Sequence, residues 1–186
     1  MLNSQTDSVG QVLYENIFKK YEIKFAEINT SDICFEERVK LKCFYCKNYN
    51  KKWACPPKIP CVDYKKIIQN EYKNGIIIQY SEQVCGNDFE EVRTRTTNKL
   101  HYLLLEAEKV LYNMNNIMFL SFIGGSCKLC KNGCNPERCN NPTMARISME
   151  GAGINVIKTV EKVNMKVKFP IENELSRFGL LLWEEM

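Results

Sequence analysis

The chain has 186 residues, the size of one ordinary domain and too short for two full-sized ones, so residues 1–186 are read as a single domain. Hydrophobic residues make up 45% and charged residues 26%, which excludes an intrinsically disordered chain, and no apolar run approaches the ~18 residues of a membrane span. The formal net charge of +4 is too weak on its own to argue for nucleic acid.

Residues 1–7 lack a charged segment followed by an apolar core, so no signal peptide is expected and the protein is placed in the cytoplasm. Val9, Val12, Leu13, Ile17 and Phe18 recur at helical spacing and predict a helix over 8–21. Residues 23–28 roughly alternate and read as a strand. Residues 30–61 hold few regular signals and contain the first cysteine group. Tyr64, Ile67, Ile68 and Tyr72 share one face of a helix expected over 62–74, with Asn74 and Gly75 as its stop. The run 76–80 reads as a buried strand. A long amphipathic helix follows over 88–113, with Asn87 and Glu90 resembling a capping box. Residues 117–122 form a second buried strand, and the second cysteine group follows at once. Asn141 as cap and Pro142 at the first position predict a helix, which Gly151 and Gly153 interrupt. Val156, Ile157, Val160 and Val163 suggest another helix, and 178–183 a final strand. Strands alternating with helices predict an α/β or α+β fold, a small mixed sheet with helices packed on it. The unit from Ile76 to Phe122 is expected to be a right-handed parallel crossover.

Ten cysteines stand beside one histidine. An even number admits a disulfide framework. Against it stand the absence of a secretory signal, a chain large enough to build a core, and the bunching of eight cysteines in two groups, which suits metal ligation. The second group is Cys127-x2-Cys130-x3-Cys134-x4-Cys139. Its four thiols can wrap one centre, and its spacing lies close both to ferredoxin-type iron–sulfur runs and to compact zinc sites. The first group is Cys43-x2-Cys46-x8-Cys55, followed by Cys61. Cys55 runs into Pro56–Pro57, as cluster-ligating cysteines often do. Without Cys61 the group offers three thiolates and an open position; with it, the site is closed. Cys34 and Cys85 stand alone and read as small hydrophobes.

Cys127 follows one strand, Cys85 follows another, and Cys61 precedes the helix between. The cysteine-rich loops are therefore expected at the carboxyl edge of the strands, where α/β proteins place their sites. Backbone N–H groups at Gly124 and Gly125 could approach an anionic centre there. From Arg38 to Lys58 there are seven basic residues and no acidic one, interleaved with Phe44, Tyr45, Tyr49 and Trp53. That pattern compensates thiolate charge and covers a metal loop, or forms a docking face for an acidic partner; single-strand nucleic-acid binding is disfavoured because the stretch is committed to metal. A nucleophilic cysteine enzyme would want a histidine beside the thiol, and His101 falls inside the long helix, away from both groups.

Two motifs resemble a known family. Arg38-Val39-x2-Lys42-Cys43-x2-Cys46-x2-Tyr49-x5-Cys55-Pro56-Pro57 is one. The other is Gly124-Gly125-x-Cys127-Lys128-x-Cys130-x3-Cys134-x4-Cys139-x2-Pro142-x2-Ala145-Arg146-x-Ser148-Met149-Glu150-x2-Gly153-Ile154. Together they resemble a prokaryotic family of predicted metal-binding proteins, domain of unknown function 2284. The resemblance covers most of the chain and implies that the two cysteine groups are metal or iron–sulfur ligands; it implies no reaction. Asn50 stands where that family usually has glycine, Ser126 and Ile147 where it has proline, and Asn155 where it has aspartate; Cys61 lies outside the pattern. The resemblance also draws attention to Arg146 and Glu150, a pair that either caps a centre or fixes the segment over the cysteine loop.

The resulting expectation is an iron–sulfur protein with one or two clusters, 4Fe–4S in type, working in redox chemistry or electron transfer. Cys43, Cys46, Cys55, Cys61, Cys127, Cys130, Cys134 and Cys139 are its ligand candidates, and Gly124, Gly125 and Arg146 contact the cofactor. A redox partner protein or a small anionic substrate is the expected partner. The alternative is a zinc-holding structural or partner-binding module.

Overall fold

The computed structural model describes residues 8–86, 88–115, 118–168, 170–171 and 173–184. Its centre is one five-stranded sheet built from β1 (Lys24–Asn29), β2 (Asn74–Gln83), β3 (Phe119–Ile123), β4 (Ile147–Ser148) and β5 (Glu174–Trp183). The strand order is β1-β2-β5-β3-β4. β2 and β3 each pair antiparallel with β5, and β4 pairs parallel with β3. β2 and β3 thus run in the same direction, as expected of the strand–helix–strand unit, but the last strand of the chain lies between them.

Around the sheet lie α1 (Val9–Leu13), α2 (Glu37–Phe44), α3 (Tyr64–Glu71), α4 (Phe89–Asn113) and α5 (Val156–Lys162). The mixed α/β class is as the sequence predicts. Both faces of the sheet are covered, which explains why its strands read as continuous apolar runs. Successive strand residues point to opposite faces. Ile76, Ile78, Leu181 and Trp183 pack with Leu100, Leu104 and Leu111 of α4 on one side. Ile77, Leu180, Leu182 and Phe122 pack with Tyr64, Ile68 and Val160 on the other.

Four elements differ from the sequence reading. The N-terminal helix changes pitch, with a π-helical stretch at Tyr14–Phe18 and a 3-10 turn at Lys19–Tyr21 after α1. α3 stops at Glu71 and Tyr72 is already extended, so Asn74 and Gly75 open β2 rather than stopping a helix. Gly75 serves a close approach instead: a Cβ there would sit 2.7 Å from Leu182 Cδ2 on β5. α2 was not foreseen, because none of its residues is buried and it carries no apolar stripe to recognise. The helix expected from Pro142 is a single turn, Ala145 N–H donating to Asn141 O at 2.8 Å, because Asn141 turns its side chain to a cysteine sulfur and the chain then joins β3 as β4. Asn87 of the proposed capping box and Ile117 of the proposed strand lie outside the described residues.

Candidate metal centre

The first cysteine group begins in the last turn of α2, which holds Cys43. Consecutive tight turns follow, Cys46 N–H donating to Cys43 O at 3.1 Å and Tyr49 N–H to Cys46 O at 2.9 Å. The loop then folds back through Asn50 N–H to Pro56 O at 3.0 Å. Asn50 has φ +55°, the left-handed region where Gly is strain-free and Asn is the next best choice. Ser148 N–H donates to Ala54 O at 3.1 Å, which docks the loop on β4.

Cys43, Cys46 and Cys55 come together on the wall of a cavity of about 260 Å³, shared with Arg93, Gly125 and Glu150. Burial pushes the Cys43 thiol up to about 11, with the charges of Glu150 and Cys46 adding to it. Burial likewise pushes Cys55 up to about 12. Such thiols are protonated at neutral pH and inert as nucleophiles. A bound metal cation is what displaces their protons.

The second group lies in irregular backbone over 127–139. Cys127 is buried, and Cys130, Cys134 and Cys139 are half-buried. Burial raises the Cys127 thiol, a backbone N–H at Leu129 partly offsets this, and the charges of Cys134, Cys130 and Cys139 raise it further. Asn141 serves this group twice, donating its side-chain amide to Cys130 Sγ at 3.2 Å and its backbone N–H to Cys139 Sγ at 3.4 Å. Two bonds join the groups' loops. Asn48 Nδ2 donates to Ser126 Oγ at 3.2 Å, and Trp53 Nε1 donates to Asn135 O at 2.8 Å. Among the described residues, no three His, Cys, Asp or Glu side chains stand where they could hold a metal ion.

The remaining candidates fall elsewhere. Cys61 is exposed and is not on the cavity wall. Cys85 is exposed rather than a buried hydrophobe, and its backbone N–H is held by Asp88 Oδ1 at 2.9 Å. Cys34 is half-buried. The glycine N–H groups do not point free into a centre: Gly124 donates to Phe178 O at 2.7 Å, and Gly125 donates to the Glu150 carboxylate at 2.9 and 3.1 Å. Gly124 is needed for that contact, since a Cβ would meet Phe178 O at 2.6 Å.

Arg146 does not pair with Glu150 and is not on the cavity wall. Its guanidinium forks onto Glu108 of α4, Nε to Oε1 at 2.7 Å and Nη2 to Oε2, and Ser121 Oγ donates to the same carboxylate. The pair ties the segment beyond the second cysteine group to α4. His101 is fully buried and bonded through Nε2 to Met144 O at 2.7 Å. Burial holds its pKa below the ordinary value, so the neutral ring donates from Nε2. It therefore touches the segment after the second group, though it is no ligand candidate.

Arg93 is the wall residue that sequence reasoning missed. It lies on α4, some forty residues from either group, and nothing in a helix of mixed polarity marks one arginine out. Its Nη1 donates to both carboxylate oxygens of Glu90, at 3.0 and 3.1 Å. Lys128 and half-buried Arg177 lie nearby; burial lowers both pKa values and the charge of Arg93 lowers them further. The surroundings of the cysteine loops are thus crowded with positive charge.

A sheet covered on both faces, with two thiol groups gathered in joined loops, defines a cysteine-rich protein of the mixed α/β class. The family described as predicted metal-binding protein (DUF2284) matches residues 26–183, and the chain belongs to it. The match runs from β1 to the last residue of β5. No curated protein and no solved structure matches the chain. Among the described residues, no helix is long and apolar enough to cross a membrane.

Proposed function

We propose that this metal-binding protein carries iron–sulfur clusters of the 4Fe–4S type and works in electron transfer. The donor chemistry fits: two sets of thiols, no histidine among them, and surrounding cations to offset the negative charge of a thiolate-bound cluster. The observation that carries the reading is the cavity. Cys43, Cys46 and Cys55 wall a space of about 260 Å³, several times the ~30 Å³ share of one water molecule. A single tetrahedral ion draws its sulfurs to ~2.3 Å; a space of this size suits a polynuclear centre instead.

When bound, such a centre supplies one-electron redox chemistry. The chain's own residues do the rest. Cys43, Cys46 and Cys55 hold one centre, and Cys127, Cys130, Cys134 and Cys139 hold the other. Asn141 donates to two sulfurs of the second set. Leu41, Phe44 and Tyr45 are 65, 59 and 84% exposed beside Lys42 and Lys47, an apolar and basic face next to Cys46. That face suits docking of an acidic redox protein.

Anaerobic purification of the full chain tests the reading. Brown protein with broad visible charge-transfer absorbance and equimolar iron and acid-labile sulfide supports it. Colourless protein with stoichiometric zinc overturns it in favour of a zinc-held structural module. That second reading draws its support from the four-thiol group, packed into thirteen residues as in structural zinc sites.

A further inference from the structure

We propose that Glu150 is the fourth donor of the first cysteine group, its carboxylate binding the metal centre that Cys43, Cys46 and Cys55 hold. This rests on the reading of that group as a metal site.

Three thiols leave one position to fill, and the structure narrows the choice. Cys61 and Cys85 are exposed and absent from the cavity wall. The four later cysteines belong to the second group's loop and are absent from the cavity wall. His101 is spent on Met144. On the wall itself, Glu150 is the one carboxylate among the three thiols.

Its carboxylate is held in place on that shared wall. Both oxygens accept from Gly125 N–H, at 2.9 and 3.1 Å, which fixes the carboxylate at the start of the loop that follows β3. Among the described residues it forms no ion pair: Arg146, the arginine nearest in sequence, is taken by Glu108, and Arg93 on the same wall is taken by Glu90. The charge of Arg177 acts on it, but with no salt bridge of its own the carboxylate stays costly to bury. It is half-buried by surface area and lines the cavity. Thiolates and a carboxylate facing one space repel one another until a cation of high charge sits between them. Three soft sulfurs and one hard oxygen then give a centre whose oxygen-bound metal is the exchangeable one.

The test reconstitutes the full chain anaerobically with ferrous iron and sulfide, and reads iron and sulfide per chain and the electron paramagnetic resonance signal after reduction. Expected for Glu150→Gln is a fall in the iron-to-sulfide ratio, through loss of the iron that no thiolate holds, and an altered signal. Expected for Glu150→Cys is the full iron content with an altered signal, while Cys61→Ala and Cys85→Ala match wild type. Wild-type iron and signal in Glu150→Gln, alongside iron loss in Cys43→Ala, would overturn the proposal and leave the cluster reading standing. Wild-type iron in Cys43→Ala would overturn both. If Glu150→Gln yields no folded protein, Glu150→Cys decides alone, and an unchanged signal counts against the proposal.

Discussion

Trp53 donates its indole N–H to the backbone carbonyl of Asn135 at 2.8 Å, joining two cysteine loops that lie more than eighty residues apart in sequence. Lys58 caps the same ring from 4.3 Å. Trp53→Phe keeps an aromatic face for Lys58 and removes only the donor. The expected cost is about 1 kcal/mol of stability, read by urea unfolding of the metal-loaded protein. A chelator should also extract metal from both groups faster. Faster extraction from one group alone, or from neither, would show that the loops are not coupled through this bond.

If the second group carries the proposed cluster, Asn141 should tune its redox potential. Hydrogen bonds to ligand sulfurs stabilise the more negative, reduced state. Asn141→Ala removes the side-chain bond to Cys130 and leaves the backbone bond to Cys139. A lost charge-assisted bond of about 1.5 kcal/mol corresponds to about 60 mV for a one-electron couple. Redox titration should find the potential of that centre lower by roughly this amount, with metal content unchanged. Cys139→Ala, by contrast, should cost metal and much of the stability, since metal binding is coupled to the folding of the loop.

Arg146 is expected to be structural. Replacing it by Met leaves Glu108, 8% exposed, without its cation, at a cost of about 3 kcal/mol. Glu108→Gln in the same chain should restore much of that stability. Metal per folded chain should be the same in both variants; a drop confined to Arg146→Met would return this residue to the metal site.

Glu36 accepts from Arg38 at 2.5 Å and from Lys158 at 2.6 Å, tying the start of α2 to α5. The bond to Arg38, then that to Lys158, holds its carboxyl down at about 2 from an ordinary 4.5. A depressed carboxyl contributes stability that is fully present above its unfolded value and is lost as pH falls through its folded one. The difference in Tm between wild type and Glu36→Gln should therefore be constant near neutrality, shrink below about pH 4.5, and vanish by about pH 2. A gap that persists at pH 2 would mean that the interaction does not depend on charge.

The sheet and the long helix were legible because burial on both faces writes itself into apolar runs such as Ile76–Ile78 and into the stripe through Leu100, Leu104 and Leu111. α2 was not, because a helix with no buried residue leaves no periodic trace. β4 is two residues long, and its pairing with β3 depends on a loop returning from the cysteines, which local pattern does not encode. The same division holds at the site. The thiols announce themselves by spacing, whereas Arg93 arrives from a distant helix and Glu150 is aimed by a single backbone N–H at Gly125. Of the two roles the sequence leaves open for Arg146, its bonds to Glu108 give it the structural one, tying the segment beyond the second group to α4.

The position of β5 also orders events during synthesis. Every cysteine leaves the ribosome before Glu174–Trp183 does, yet that strand is the wedge that fixes β2 against β3 and so sets the sheet beneath both loops. The nascent chain therefore presents all its thiols while the platform that will hold them is still incomplete. Until the wedge arrives, β2 and β3 have no common partner strand, and the packing that buries Cys55 and Cys127 has yet to form.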